Sequence, residues 1–141
     1  MPTTLYNRGL DELRNFTSDT FEALLINDAG YVPNPDHDYV ADLTPGTNEI
    51  AGAGYSRQAL GTKTRTIDDT NNRITYDCAD LDFGSIVAGE NVTGMVVYRL
   101  VTNDADSILI AHYPLGTVAT TGLPFPVVIS ASGLLYVDQG A

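Results

Sequence analysis

The regular spacing of short strand-like segments after Tyr55 is the feature that most constrains the fold of this chain. Segments such as KTRTID, RITYD and GMVVYRLV alternate or cluster apolar residues, and turns rich in Asp, Asn and Gly separate them. Strands that recur roughly every 8–12 residues with polar turns are typical of antiparallel sandwiches and barrels. The sequence therefore predicts a mainly β chain, folded as a single antiparallel β-sandwich or barrel-like domain.

Two hairpins are predicted within this pattern. The turn DDTNN joins residues 64–68 to residues 73–77, and Asp and Asn favour such turns because their side chains bond nearby backbone amides. The turn TNDAD joins a strand centred on residues 95–101 to SILIAHYPL, and these two strands are expected to pair at the centre of the sheet. The segments FPVVIS and GLLYVD are predicted to be the last strands.

Residues 1–16 have a different period and predict a short N-terminal helix or arm, followed by a β-sandwich domain over residues 17–141. Leucines recur near helical spacing at positions 5, 10 and 13, whereas Gly9 is expected to weaken the helix by up to about 1 kcal/mol. Two interpretations stay open: the arm binds a neighbouring subunit or a larger assembly, or it folds back over its own sandwich. The side chains proposed for an intermolecular contact are Leu5, Tyr6, Leu10 and Leu13.

The long loop at residues 30–54 is the other unusual segment, because it is rich in Pro, Gly and acidic residues. Asp36, His37 and Asp38 are consecutive, but consecutive side chains rarely converge on one ion, and zinc ligands are usually spaced two to four residues apart. A structural role for His37 is therefore favoured over a metal or catalytic loop. Long loops usually bind something or cover part of the fold. We expect this loop to cover a sheet edge with apolar area while its hydroxyl groups stay in water, and its tyrosines complete the candidate interface: Tyr31, Tyr39 and Tyr55.

Composition and motifs disfavour several classes of function. The 18 acidic and 7 basic residues give a net charge of −11, which repels the phosphates of nucleic acid. The single cysteine, Cys78, lies in an apolar strand pattern and is expected to be buried and inert. The acidic segment DCADLD does not have the spacing of a helix-loop-helix calcium site. None of the common catalytic motifs is present, so we predict no enzymatic activity, no cofactor and no metal.

The sequence also shows no targeting segment, and its apolar runs are too short to span a membrane. We therefore expect a protein that is made in a cytoplasm and works without a membrane. Its strong single-sign charge suits a chain that must stay soluble in many copies until it meets a designated partner.

Several segments together resemble a family of small structural proteins encoded in tailed-phage genomes. They are TLYNRGLDEL, SDTFEALLIND, GYVPNPDHDYVADL, NEIAGAGYSRQAL, DDTNNRITYDCADLDF and the closing GLLYVD, and they span nearly the whole chain. The resemblance implies a non-enzymatic virion component, in the first instance a decoration protein on the outer face of the head.

The implied role of a decoration protein predicts specific partners. It predicts binding to the major capsid protein at the capsid surface of the virion, in many copies, as trimers or dimers, since closed shells offer symmetric positions. A tail or head–tail connector component is the alternative within the virion. A carbohydrate- or ligand-binding β-sandwich is the alternative outside it, although the chain has no Trp and its Tyr residues are scattered.

Overall fold

The computed structural model of the chain describes residues 3–27 and 31–138. The first residues of the predicted arm, the first residue of the predicted loop and the end of the predicted β-domain lie outside the described residues. Within the described ranges the chain is mainly β, as predicted. Its elements are β1 (Thr4–Leu5), α1 (Asn7–Glu12), a 3₁₀ helix (Leu13–Asn15), β2 (Phe21–Ile26), a second 3₁₀ helix (Val40–Leu43), α2 (Pro45–Asn48), β3 (Gln58–Ala59), β4 (Thr64–Asp68), β5 (Arg73–Asp77), β6 (Leu81–Ser85), β7 (Asn91–Arg99), β8 (Ile108–Ala119), β9 (Pro124–Val127) and β10 (Leu135–Asp138).

These strands form antiparallel sheets that pack in a sandwich-like arrangement. The main sheet has the order β1-β8-β7-β2-β3, a three-stranded sheet has the order β10-β5-β4, and β6 pairs with β9 in a two-stranded sheet. Both predicted hairpins, β4–β5 and β7–β8, are confirmed. The two last strands do not pair with each other, because β9 joins β6 and β10 joins β5.

Strand β2 shows why the main sheet has two buried faces. Ala23 and Leu25 point into a large core that the two smaller sheets close, together with Phe21. Leu24 and Ile26 point the opposite way, into a second core. This alternation agrees with the sequence pattern, in which both faces of the strand are apolar.

The second core is closed by the long loop. Tyr31, Val40 and Leu43 pack on the sheet residues of this core, and all three are buried. Backbone hydrogen bonds hold the loop to the β7–β8 hairpin, for example from the Val40 N–H to the Ser107 carbonyl at 2.9 Å. The loop therefore covers a face of the main sheet and not, as predicted, an edge, because both faces of β2 are apolar and need a cover.

The N-terminal segment is part of the same sheet. Strand β1 pairs with β8, and α1 packs across β8 at Gly9. A Cβ atom at Gly9 would lie 2.2 Å from the Leu109 carbonyl oxygen and 2.6 Å from the Ile110 Cα. The glycine that looks like a weakness in the isolated helix is thus what allows the helix to approach the strand.

Candidate interaction surface

Three of the seven residues predicted to face a partner are buried in the chain's own core. Tyr6, Leu13 and Tyr31 are 0%, 2% and 6% exposed. The Tyr6 and Tyr31 hydroxyl oxygens lie 2.7 Å apart and are hydrogen-bonded, so the loop tyrosine does not keep its hydroxyl in water. Burial raises the pKa of both tyrosines. These three side chains pack within the chain itself, because the N-terminal segment and the loop fold back onto the main sheet, as the second interpretation of the arm predicts.

The other four predicted residues do not form one surface either. Leu5 and Tyr55 are half-buried and pack against the large core. Tyr39 is half-buried beneath the Arg8 guanidinium, which lies 5.1 Å from the ring centroid. Leu10 is 43% exposed and is the one member of the seven with a largely free side chain.

Arg57 forms the most extensive polar cluster in the described part of the chain. Its guanidinium donates to Glu49 at 2.7 Å and to Asp104 at 2.7 Å. These hydrogen bonds raise the pKa of Arg57. Tyr55 completes the cluster, since its hydroxyl donates to Glu49 at 2.7 Å and accepts from the Leu25 N–H. The cluster holds the end of the long loop against the turn between β7 and β8. Its role is therefore structural.

The acidic and histidine-containing loop has a similar structural role. Asp36 accepts a hydrogen bond from Asn7, Asp38 lies 3.8 Å from Arg8, and the His37 Nδ1 lies 3.3 Å from the Tyr31 hydroxyl. Asp42 caps the 3₁₀ helix Val40–Leu43 by accepting the Asp38 and Tyr39 N–H groups. Across residues 3–27 and 31–138 there is no group of three His, Cys, Asp or Glu side chains that could hold a metal ion.

Cys78 is buried, and desolvation together with the nearby acidic side chains raises its pKa to about 11. The thiol is therefore protonated at neutral pH. A protonated thiol is a poor nucleophile.

An open apolar groove lies between β8 and β9, which we call the β8–β9 groove. It has a volume of about 430 Å³, and a second hollow of about 440 Å³ adjoins it through Leu115, Val127 and Val128. Among the described residues, no Asp, Glu, Lys or Arg lines either hollow. The apolar residues that line the groove itself include Leu115, Val118, Leu123, Pro124, Phe125 and Val128.

The walls of the β8–β9 groove carry unusually exposed aliphatic side chains. Leu123 is 69% exposed, Val128 is 75% exposed and Val118 is 42% exposed. Contiguous exposed apolar area on a protein usually marks an interaction site. Another exposed pair, Ile67 and Val137, lies on the three-stranded sheet, but the hollow beside it is lined by charged residues as well.

Sequence reasoning missed this groove because it interpreted its segments only as strands. One signal was available: in GLPFPVVIS, neighbouring apolar residues occupy both faces of a short strand. Only Phe125 of this segment is buried, whereas Leu123 and Val128 point outward. A short strand that is apolar on both faces, but packs against the core with only one of them, exposes apolar side chains on the other. Such an exposed apolar face indicates a binding surface.

Comparison with protein-family models, with curated proteins and with solved structures finds no match to the chain. No helix among the described residues combines the length and apolar character needed to cross a bilayer.

Proposed function

We propose that this chain is a structural protein of a tailed-phage virion, bound to the outer surface of the capsid as a decoration protein that stabilises the shell. The observation that carries the proposal is the β8–β9 groove. It presents uncharged, exposed apolar area on a chain whose net charge is −11. The segment resemblance described above supports the virion assignment.

The groove offers enough apolar area for a useful contact. Full burial of Leu123 and Val128 would contribute about 1.5–3 kcal/mol each, before the loss of translational freedom and side-chain ordering is subtracted. One such contact is weak. Many copies on one shell, or several sites in one oligomer, raise the apparent affinity by linking these weak contacts.

The charge distribution suits a protein that is present in many copies. A strongly negative chain stays soluble, and like charges suppress random association between copies. Docking then depends on a partner whose surface fits the groove.

The test uses heads purified from the phage that encodes this chain, after the chain has been removed from them. Added protein should bind these heads at a fixed ratio to the shell subunit and raise the temperature at which the shells release their DNA. Val128→Asp should weaken binding, whereas Val32→Asp is the matched control, since Val32 and Val128 are 77% and 75% exposed. Shells whose thermal release is unchanged at saturating protein would contradict the proposal.

A tail or head–tail connector position is the second candidate, and one feature of the structure favours it. Strand β4 is an edge of the three-stranded sheet, and residues 64–67 are exposed along it. Exposed edges can pair with a strand of another subunit, as the subunits of a ring would require. Antibody labelling of intact particles in electron micrographs separates the two positions, because label on the tail would exclude the capsid surface.

A further inference from the structure

We infer that the β8–β9 groove binds a segment of another protein in which apolar side chains are flanked by Lys or Arg. The inference rests on the proposed function, because it names the chemistry of the partner that this groove would take. Within that function the partner segment belongs to a shell subunit.

The first argument is the distribution of charge around the groove. The chain contains no Lys or Arg after Arg99, so strands β8 and β9 and the loop between them bring no cation to the groove. Acidic residues lie beside it instead. The Asp80 carboxylate accepts the N–H of Ile129 at 2.8 Å, and Asp82 is the cross-strand neighbour of Pro126.

Glu90 is a third acidic residue whose backbone lies near the other end of the groove, while its side chain lies beside Gly52. Its backbone carbonyl accepts the N–H of Thr120, the residue that precedes the groove-lining Thr121. An apolar surface with an acidic border attracts a partner with basic residues beside its apolar side chains. Complementary charge of this kind mainly directs encounter and discriminates against wrong partners.

The same charges argue against a second copy of this chain as the occupant. A second copy also has a net charge of −11. Four of its seven cations, Arg8, Arg14, Arg57 and Arg99, already lie in ion pairs with its own carboxylates. The other three, Lys63, Arg65 and Arg73, are not among the described residues that line the two hollows, so two copies that met groove to groove would bring their acidic borders together.

The groove's prolines indicate how the partner binds. Pro114, Pro124 and Pro126 line the two hollows. Proline has no backbone N–H and cannot donate a ladder hydrogen bond, so these positions are poorly suited to adding a strand. Affinity must then come from apolar side chains inserted into the hollows, which are within the size range of ordinary ligand pockets.

The experiment is an NMR titration of the ¹⁵N-labelled full chain with two synthetic peptides. One has the apolar core LPLVPL between paired lysines, and the other has the same core between paired glutamates. The lysine-flanked peptide should shift the amide signals of groove residues, bind about tenfold more tightly than its glutamate counterpart, and lose affinity as NaCl is added. Equal affinities, shifts confined to other regions, or no binding of either peptide would overturn the inference.

Variants test whether the preference for the lysine-flanked peptide arises at the groove. Asp80→Asn, Asp82→Asn and Glu90→Gln combined keep one side-chain oxygen at each position and remove three charges. This triple variant should abolish the preference for the lysine-flanked peptide, and Val128→Asp should remove the groove shifts caused by it. A preference that persists in the triple variant overturns the inference. So does self-association of the chain that shifts the same groove signals, because it would make a second copy the occupant.

The inference and the proposed function fail in different ways. If the lysine-flanked peptide binds in the groove but shells are not stabilised, the partner chemistry holds and the capsid role is wrong. If shells are stabilised equally by the wild-type chain and the triple variant, the capsid role holds and the inferred basic flank is wrong.

Discussion

The loop-covered face of the main sheet and the β8–β9 groove are both apolar, but residues 3–27 and 31–138 cover only one of them. On the loop-covered face, Tyr6 and Tyr31 are buried and their hydroxyl groups bond each other. In the groove, Leu123 and Val128 are 69% and 75% exposed, and none of the lining side chains that the structure describes is charged.

This difference shows how one small domain can separate stability from binding. The N-terminal segment, for which the sequence left two roles open, and the long loop, which it predicted to be a cover, are the parts that complete the fold. The groove contributes less to folding, since its exposed side chains gain little when the chain folds. It is therefore the region in which apolar area remains available for another molecule.

Among the variants expected to stay folded, Gly9→Ala should have the largest effect. The added Cβ would lie 2.2 Å from the Leu109 carbonyl oxygen, so α1 must move away from β8. We expect a loss of about 3 kcal/mol in the free energy of unfolding, measured by urea denaturation, despite the better helix propensity of Ala. Gly61→Ala is the control, because no atom lies within 4 Å of its added Cβ. Equal stability of the two variants would show that the N-terminal segment is not part of the covered face.

High pH should destabilise the fold through groups that are buried in their neutral forms. Burial raises the pKa of Tyr6 and Tyr31 on the loop-covered face and of Tyr113 beside the groove, and it raises that of Cys78 from 9.0 to about 11. The folded chain then keeps protons that the unfolded chain releases, so stability present below about pH 9 is lost as the pH rises.

For Cys78 alone the loss between pH 9 and pH 11 should be about 2 kcal/mol, and the tyrosines should add to it above pH 10. Urea denaturation at a series of pH values measures the loss. Absorbance at 295 nm should show the ionisation of the buried tyrosines only as the chain unfolds. A free energy of unfolding that stays constant up to pH 11 would contradict this account of the burial.

A smaller effect is expected when the tyrosine pair is broken. Tyr6→Phe leaves the Tyr31 hydroxyl without its 2.7 Å partner, which should reduce the free energy of unfolding by about 1–2 kcal/mol. Tyr31→Phe should act similarly. The double variant should lose less than the sum, because both buried hydroxyl groups are then absent. Additive losses would show that the two hydroxyl groups do not depend on each other.

The sequence predicted the local part of this fold better than its long-range part. The β4–β5 and β7–β8 hairpins depend on turns whose residue types are visible, such as Asp68, which accepts the N–H groups of Thr70 and Asn71. The pairing of β6 with β9 and of β5 with β10 joins distant segments, and no local pattern specifies it. Gly9 is a further example, because its role depends on the backbone of β8, about a hundred residues away.

The candidate site was harder to predict because burial is not a local property. Tyr6 and Tyr31 have amphipathic side chains that suit an interface or a bonded core pair equally well. Only the folded chain shows that each is the other's hydrogen-bond partner. Conversely, Leu123 and Val128 look like ordinary core residues in an apolar strand, and their exposure follows from the absence of any described segment packed over them.

The smallest effect on stability should come from Val128→Asp, and it is the one that separates the two regions most sharply. Because Val128 is 75% exposed, its replacement should change the free energy of unfolding by no more than about 0.5 kcal/mol, as for other surface substitutions. Val40→Asp is the contrast on the loop-covered face, where the side chain is fully buried and an unpaired charge should prevent stable folding. Urea denaturation of both variants measures the difference. A loss of more than 1 kcal/mol in the free energy of unfolding for Val128→Asp would mean that the groove is part of the core. The apolar side chains at this site would then not be available to a partner.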